Sequence, residues 1–318
     1  MSASEIPFER RSVSDPSWTV DHIVDELRVL REESQVARKR LGHSVKLPSR
    51  KRLASIVDRL GTVLFPIRLS NREFSHGNVN YFVGHTLDQA LTDLVDEIQR
   101  ELQFFGDVSV PAASYRDQAI QVARDFAEQL PKIRSLLESD IQAAFEGDPA
   151  ARSSDEVLAC YPGVTAILHH RLAHELYRLQ TPLVARVIAE ISHSQTGIDI
   201  HPGAQIQGEF FIDHGTGVVI GETAVIGKHV RIYQAVTLGA KSFPANEEGV
   251  LIKGNARHPV VEDDVVIYAG ATILGRITIG KGSVIGGNVW LTTSVPPGSH
   301  ISQAKLRTEI FDGGGSGI

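Results

Sequence analysis

The spacing of apolar residues changes about two thirds of the way along this 318-residue chain. In residues 86–105 and 122–141, apolar residues recur at intervals of three and four, which places them on one face of an α-helix. Weaker patterns of this kind cover residues 20–40, 50–64 and 162–192, the last broken at Thr181 and Pro182. Pro131 is expected to kink or divide the second strong helix. The first part of the chain is therefore predicted to be helical.

A six-residue period replaces the helical period after Gly197. The aliphatic positions form three runs: Ile200, Ile206 and Ile212; Ile220, Ile226, Ile232 and Leu238; Val261, Ile267, Ile273, Ile279, Ile285 and Leu291. Glycine and other small residues cluster between them. This repeat predicts a left-handed parallel β-helix, a three-sided prism in which each hexapeptide supplies a short strand and a turn. The aliphatic side chains would stack inside the prism.

Two segments interrupt the repeat. The step from Ile212 to Ile220 has eight residues instead of six, and residues 241–259 do not fit the period. Both could be tolerated insertions, but loops that protrude from a rigid solenoid commonly carry its functional sites. We predict an α+β fold, with a helical domain at 19–195 and a β-helix with a protruding loop at 196–298. Residues 1–18 and 299–318 are expected to be flexible tails.

Composition excludes several classes of function. The net charge is −6 and no dense basic stripe is present, so we expect no nucleic-acid partner. The basic residues between 37 and 52 are interpreted as a solvated helix end. No stretch has the ~20 apolar residues of a membrane span, and no secretory signal begins the sequence. The single cysteine, Cys160, rules out an intrachain disulfide and fits a reducing compartment, so the cytoplasm is the predicted location.

Three motifs in the second half carry a family likeness. The sequences DIHP at 199–202, DHGTG at 213–217 and RHP at 257–259, in this order, resemble the serine O-acetyltransferase family of hexapeptide acyltransferases. The resemblance covers about residues 140–295, and short members of the family do not account for the first 110 or so. It implies acetyl transfer from acetyl-CoA to the hydroxyl of L-serine in cysteine biosynthesis. It also implies a homotrimer or a dimer of trimers, active sites between neighbouring prisms, and feedback inhibition by L-cysteine.

A serine hydroxyl is a poor nucleophile at neutral pH, so the reaction needs a base within hydrogen-bond reach. Histidine suits this role because its ordinary pKa is ~6.5. His214, in the eight-residue step, is the candidate base. A carboxylate on the other ring nitrogen would fix the tautomer, and the resemblance implies that this carboxylate is Asp199. Asp213 and His214 could instead only cap a turn, but the break in the repeat at this pair favours catalysis.

The proposed acceptor is a zwitterion, so its site should contain one cation and at least one anion. Arg257 can offer a bidentate fork to the carboxylate, with His258 beside it. The resemblance implies that Asp213 and Asp148 hold the amino group, although Asp148 could also be an ordinary loop residue.

Acetyl-CoA would lie along a prism edge, where small residues let its pantetheine arm approach the backbone. The resemblance implies contacts from Gly239, Ala240, Lys241, Ala269 and Gly287, with Lys241 near the phosphates. The loop after Lys241 is longer and more acidic than the glycine-rich loop of many members, and Lys253 could replace Lys241 there. No metal site is expected.

The chain ends in FDGGGSGI, a glycine linker followed by Ile318. In the family that this sequence resembles, a C-terminal isoleucine inserts into the active site of O-acetylserine sulfhydrylase. A terminal carboxylate with an apolar side chain resembles an amino acid, so such capture is physically reasonable. The usual acidic residue two or three places before the end is absent here, where Gly315 and Ser316 stand, although Asp312 lies nearby.

Two other functions are compatible with these patterns. The chain could be a hexapeptide acyltransferase for a sugar or another hydroxy amino acid, although Arg257 with two aspartates favours an amino acid. It could also be a catalytically silent scaffold that presents its C-terminal tail to the sulfhydrylase. Release of CoA from acetyl-CoA in the presence of serine would distinguish the enzyme from the scaffold.

Overall fold

The computed structural model describes residues 20–40, 46–74, 78–107, 109–242 and 254–303. Residues 1–45 and 46–318 form two compact units. In the first unit, the described element is helix α1, Asp21–Arg40. The helices of the second unit are α2 Arg50–Leu64, α3 Pro66–Leu69, α4 Asn78–Phe105, α5 Ala112–Gly147, α6 Ser154–Cys160, α7 Pro162–Arg178 and α8 Pro182–Thr196. Among the described residues, no helix has both the length and the apolar character needed to cross a membrane.

The helices follow the apolar periodicity, although boundaries differ, and α5 begins at Ala112, ten residues before the predicted segment. Helix α4 begins at Asn78, eight residues before the predicted start, where Phe82 packs against Phe74 with 5.0 Å between ring centroids. Helix α5 runs through Pro131 without a break, so the expected division is wrong. Pro131 lies on the exposed side of the helix, where water can hydrate the carbonyl oxygen of Ala127 that loses its amide partner. The predicted break between α7 and α8 at Pro182 is confirmed.

Fourteen short strands follow in the described residues. They are β1 Asp199–Ile200, β2 Gln205–Ile206, β3 Phe211–Ile212, β4 Val219–Ile220, β5 Val225–Ile226, β6 Arg231–Ile232, β7 Thr237–Gly239, β8 Val260–Val261, β9 Val266–Ile267, β10 Thr272–Leu274, β11 Thr278–Ile279, β12 Val284–Ile285, β13 Trp290–Leu291 and β14 His300–Ile301.

Strands three apart in sequence share a sheet, except that β12 pairs with β14, so the chain winds as a three-sided coil. The first face contains β1, β4, β7, β10 and β13, the second face β2, β5, β8 and β11, and the third face β3, β6, β9, β12 and β14. All the pairings between these strands are parallel. On the first face, the register aligns Ile200, Ile220, Leu238, Ile273 and Leu291. These residues are the predicted inward positions, and all are buried, which confirms the six-residue repeat.

One buried ion pair joins the helices to the first turn of the coil. Arg171 of α7 donates to both carboxylate oxygens of Asp140 in α5, over 2.7 and 2.8 Å. Arg171 also donates to the carbonyl oxygens of Ile206 and Gln207, and Asp140 accepts a bond from the amide of Phe210. The two side chains are only 4% and 1% exposed. Their hydrogen bonds compensate much of the cost of removing both charges from water.

Removing one partner should leave the other charge buried and unpaired. Arg171→Ala is therefore expected to lower the free energy of unfolding by about 3–5 kcal/mol in a urea titration. Arg116→Ala is the matched control, because Arg116 forms an exposed ion pair with Asp96. That control should cost at most about 1 kcal/mol. Equal losses in the two variants would contradict the role given to the buried pair.

Four histidines are partly or fully buried: His169 lies among α2, α6 and α7, whereas His170, His174 and His201 lie where α7 meets the coil. His169 and His170 are buried, and His174 is half-buried. Burial lowers the pKa of all four rings, and that of His201 falls to about 4. The Nδ1 atom of His201 accepts a bond from the amide of Gly203, over 2.9 Å.

These depressed pKa values predict a loss of stability in acid. Between the unfolded pKa of ~6.5 and the lower folded value, the unfolded chain binds protons that the folded chain does not. The stabilisation is complete above pH ~6.5 and is lost as the pH falls towards the folded pKa. The thermal midpoint should therefore drop between pH 7 and pH 5, and His201→Asn should flatten that drop, because an asparagine oxygen can still accept from Gly203. His229→Asn, at an exposed position, should leave the slope unchanged.

Candidate active site

The eight-residue step is a two-residue bulge in the coil. At the edge between the third and first faces, each turn contains a residue with a positive φ: Gly217, Ala235, Gly270 and Asn288. Before Gly217, His214 and Gly215 also have positive φ values, of 58° and 83°. A Cβ atom on Gly215 would collide with the side chain of Ile198, so glycine is required there.

The bulge places His214 in a backbone conformation that few residues other than glycine adopt. Its side chain is 72% exposed, so the imidazole is accessible to a ligand. This geometry agrees with the interpretation that the break in the repeat is functional. We call the edge that carries Asp213 and His214 the His214 edge.

Asp213 is held rigidly beside His214. Its side chain is only 11% exposed, its Oδ2 atom accepts a 2.7 Å bond from Arg231, and its Oδ1 atom lies 3.8 Å from Nε2 of His214. Arg231 also donates to the carbonyl oxygen of Gly147, the last residue of α5, over 2.6 Å. One guanidinium therefore links the end of the helical region to the His214 edge.

Sequence analysis did not identify Arg231. It occupies the outward position beside Ile232, where arginine is common on a solvated surface. The role of Arg231 becomes visible only when successive turns of the coil are aligned, because that register pairs Arg231 with Phe211. The guanidinium carbon lies 4.9 Å from the ring centroid of Phe211 and 4.7 Å from that of Tyr233, so the cation is sandwiched between aromatic rings.

Asp148 lies near the same edge, directly after α5. Its carboxylate accepts bonds from the hydroxyl of Tyr161, at 2.5 Å, and the amide of Ala150, at 2.8 Å. These bonds lower the pKa of Asp148, and the nearby charges of Arg231 and His214 lower it further. The hydrogen bond between Tyr161 and Asp148 also raises the pKa of the Tyr161 hydroxyl to about 12. The structure thus brings Asp148, Asp213 and His214 into one neighbourhood, with Asp148 ionised.

Asp199 is placed differently. It lies in β1 on the first face, and within the described part of this protomer it makes no hydrogen bond or ion pair with His214. It lies instead beside Glu190 and His193 of α8, with one ligand atom of each residue within 4.8 Å of the others. Such exposed groups are common without a metal ion. In one protomer, the carboxylate beside the His214 ring is that of Asp213.

A second polar cluster lies on the opposite edge of the first face, where it meets the second face. Arg257 donates to Oε2 of Glu222 over 2.6 Å, and Oε1 of Glu222 accepts from the hydroxyl of Tyr177 over 3.0 Å. The Thr223 hydroxyl oxygen accepts the amides of Arg257 and His258. These bonds anchor the RHP segment where the chain returns to the coil, and we call this the Arg257 edge.

His258 is a buried, neutral hydrogen-bond donor. Its Nδ1 atom accepts the amide of Thr223 at 3.1 Å and the hydroxyl of Thr223 at 2.9 Å. The hydroxyl can donate to the ring because its oxygen already accepts the amides of Arg257 and His258. With Nδ1 occupied in this way, the ring proton must be on Nε2. Burial and the charge of Arg257 lower the pKa of His258, which keeps the ring neutral. This arrangement suits a donor better than a base.

The predicted cofactor residues divide between the two edges. Gly239, Ala240 and Lys241 lie at the Arg257 edge, where Lys241 and Arg276 line a cavity of about 630 Å³. Ala269 and Gly287 lie at the His214 edge, stacked one turn apart. Lys253 and most of the loop, residues 243–253, lie outside the described residues.

One protomer therefore holds two half-sites. The His214 and Arg257 edges are separated by the width of the first face, about 20 Å for six residues at ~3.3 Å each. A ligand the size of an amino acid cannot span that distance. Within the described residues, no hydrogen bond or ion pair joins Asp148, Asp213 or His214 to Arg257 or His258.

Comparison with known proteins agrees with this architecture. Residues 258–293 match the family described as "Bacterial transferase hexapeptide (six repeats)". The chain is 57% identical to the plasmid serine acetyltransferase of Synechococcus elongatus, over 97% of this chain and 98% of that protein.

Solved structures of similar fold cover the helices as well as the coil. Serine acetyltransferase isoform 3 from Entamoeba histolytica, crystallised in complex with cysteine, has a TM-score of 0.68 and 37% identity, covering 80% of this chain and 82% of that one. Serine acetyltransferase from Brucella abortus, in complex with coenzyme A, has a TM-score of 0.52 and 29% identity, covering 79% and 93%. With 57% identity to a relative over nearly its whole length, the chain belongs to the serine acetyltransferase family.

Proposed function

We propose that this protein transfers the acetyl group of acetyl-CoA to the hydroxyl of L-serine, giving O-acetyl-L-serine and CoA for cysteine biosynthesis. The observation that carries the proposal is His214, an exposed imidazole on a strained bulge beside the anchored carboxylate of Asp213. Full-length similarity to a serine acetyltransferase supports it. We also infer that the coil is left-handed, as its six-residue period implies, and that the protein acts in the cytoplasm.

In the proposed mechanism, His214 is the general base. It takes the proton of the serine hydroxyl while the oxygen attacks the thioester carbon, so that a C–O bond forms. The C–S bond then breaks, and the imidazolium returns the proton to the departing thiolate. Asp213 stabilises the imidazolium and is itself fixed by Arg231. The resemblance makes Asp199 the candidate carboxylate for the other ring nitrogen, and this assignment stays a prediction.

The two half-sites match the two ends of the acceptor. Asp148 and the Oδ1 atom of Asp213 would hold the ammonium group, because Oδ2 of Asp213 is already bonded to Arg231. Arg257 would bind the carboxylate with the guanidinium donors that Glu222 does not use. His258 would add its Nε2 proton. These contacts favour an amino acid over a sugar as the acceptor.

A second copy is needed to bring the half-sites together. We infer a homotrimer in which the His214 edge of one prism packs against the Arg257 edge of the next, so that threefold closure completes three sites. The helical region offers further surface for a dimer of trimers. The division of the cofactor residues between the same two edges supports this arrangement.

Acetyl-CoA would occupy the groove between the two prisms. Gly239, Ala240, Ala269 and Gly287 would let the pantetheine arm approach the backbone. Lys241 and Arg276 line the cavity at the Arg257 edge and would face the phosphates. The Brucella abortus relative was crystallised with coenzyme A. The mechanism uses no metal ion.

Two regulatory partners complete the proposal. L-cysteine differs from L-serine in one atom, sulfur for oxygen, so the acceptor site should also bind it, and the Entamoeba histolytica relative was crystallised with cysteine. The C-terminal Ile318 lies outside the described residues. Its docking into O-acetylserine sulfhydrylase stays a prediction from the sequence.

Loss of the base should nearly abolish the reaction. We expect His214→Ala to lower kcat for serine-dependent CoA release by about 10²–10⁴, since this is the usual contribution of a general base. His229→Ala is a matched control, because His229 also has a positive φ, of 56°, is exposed, and contacts an aspartate, Asp264. The control should retain wild-type kcat.

The outcomes separate the competing functions. Equal rates in wild type and His214→Ala would remove His214 from the mechanism. Faster CoA release with a sugar or another hydroxy amino acid than with serine would favour a different acceptor. If no acceptor released CoA while the sulfhydrylase still bound, the protein would be a scaffold.

The shared site predicts complementation between two inactive variants. His214→Ala and Arg257→Ala should each lose most activity alone. When the two chains are co-expressed with different tags and purified through both, mixed assemblies should regain activity. In a mixed trimer, whichever variant is in the majority, one of the three sites pairs an intact His214 edge with an intact Arg257 edge. Activity no greater than the sum of the two variants would place the complete site within one chain.

A further inference from the structure

Helix α1 carries an apolar stripe that is exposed to solvent. Val20, Ile23, Val24, Leu27 and Leu30 are each between 45% and 60% exposed. A single 20-residue helix is only marginally stable in water, and helices in proteins are usually stabilised by packing of their apolar face. The stripe therefore calls for a partner surface, and the reaction proposed above does not use it.

The spacing of the stripe is that of a coiled coil. Val20, Ile23, Leu27 and Leu30 follow one another at intervals of three, four and three, which are the a and d positions of a heptad repeat. Val20 and Leu27 then occupy a, and Ile23 and Leu30 occupy d. Val20 directly precedes α1, Val24 lies beside the seam at e, and the exposed Val29 and Val36 lie at c on the outer side.

Charged residues on α1 divide into two groups by their position. On the side away from the seam, Arg28 forms ion pairs with Asp25 and Glu32, one turn before and after it. Glu26 and Arg31, which flank the seam at positions g and e, make no ion pair with any described residue. The outer charges are thus satisfied within the helix, and the flanking charges are not.

The flanking charges are complementary across a second copy. In a parallel coiled coil in register, a residue at g faces the e residue of the following heptad on the partner helix. Glu26 of one copy would then face the partner's Arg31, and the reverse pair would form by symmetry. In an antiparallel pair, g would face g, so glutamates at 26 and 33 would oppose one another. The charge pattern therefore selects the parallel arrangement.

We propose that α1 forms a parallel coiled coil, in register, with α1 of other copies of this chain. The seam is mixed, since Val20 at a with Leu30 at d favours two helices and Leu27 at a with Ile23 at d favours more, so the proposal fixes the direction and register but not the number of helices. The proposal concerns an interface in the first unit of the chain and does not depend on the reaction.

Site-specific cross-linking of the full-length protein tests this. Cys160→Ser removes the native thiol, and Leu30→Cys then places one thiol at position d. Diamide, which oxidises thiol pairs to disulfides, should convert most chains to covalent dimers on a non-reducing gel. The matched control is Glu32→Cys, two residues away on the outer side of the helix, which should cross-link at least several-fold less.

A charge reversal gives a second readout. Glu26→Lys in the Leu30→Cys chain should reduce cross-linking several-fold, and the double change Glu26→Lys with Arg31→Glu should restore it. Equal cross-linking at positions 30 and 32, or none at position 30, would overturn the proposal. A different protein or a lipid surface as the occupant would leave the purified chain without the cross-link at position 30. Acetyl transfer is assayed on the same samples, so that a failure of the proposed function is seen separately.

Discussion

The molecule depends on one constraint, that an aliphatic side chain must stack on its equivalent in the next turn of the coil. Ile220 lies between Ile200 and Leu238 on the first face, and a shift of one residue would turn each of them outward. Because this register is fixed from the inside, residues 18 to 35 positions apart meet on the outside in a defined geometry. Arg231 reaches Asp213 in this way, and Thr223 reaches His258. The side chains of the candidate site are therefore positioned by the packing of the core rather than by the loops.

The helical region contributes to the site mainly through its ends. Helix α5 delivers Gly147 and Asp148 to the His214 edge, and the buried pair of Asp140 with Arg171 fixes the direction from which that helix arrives. Tyr177, at the end of α7, supports Glu222 at the other edge. The site thus joins two kinds of secondary structure that the sequence presents in separate halves of the chain.

Periodicity predicted most of the fold, since helix and coil have different repeats and a run of either is unambiguous. Pro131 was misleading because its local effect depends on whether the freed carbonyl can be hydrated, which only the tertiary structure decides. The exposed His214 and its neighbours Asp213 and Asp148 could be proposed from motifs. Arg231, Tyr161 and Glu222 could not, because each acts through a contact distant in sequence. Within the described residues no hydrogen bond links Asp199 to His214, although β1 pairs Asp199 with Val219, five residues after His214.

The bulge at His214 lowers the regularity of the coil at the same point where it exposes the candidate base. The two additional residues interrupt an otherwise regular ladder, and His214 must hold a backbone angle that most side chains avoid. A sequence selected only for stability would shorten this turn to six residues and complete the repeat. The longer turn therefore costs the fold regularity, and what it provides in exchange is an exposed imidazole beside a fixed carboxylate.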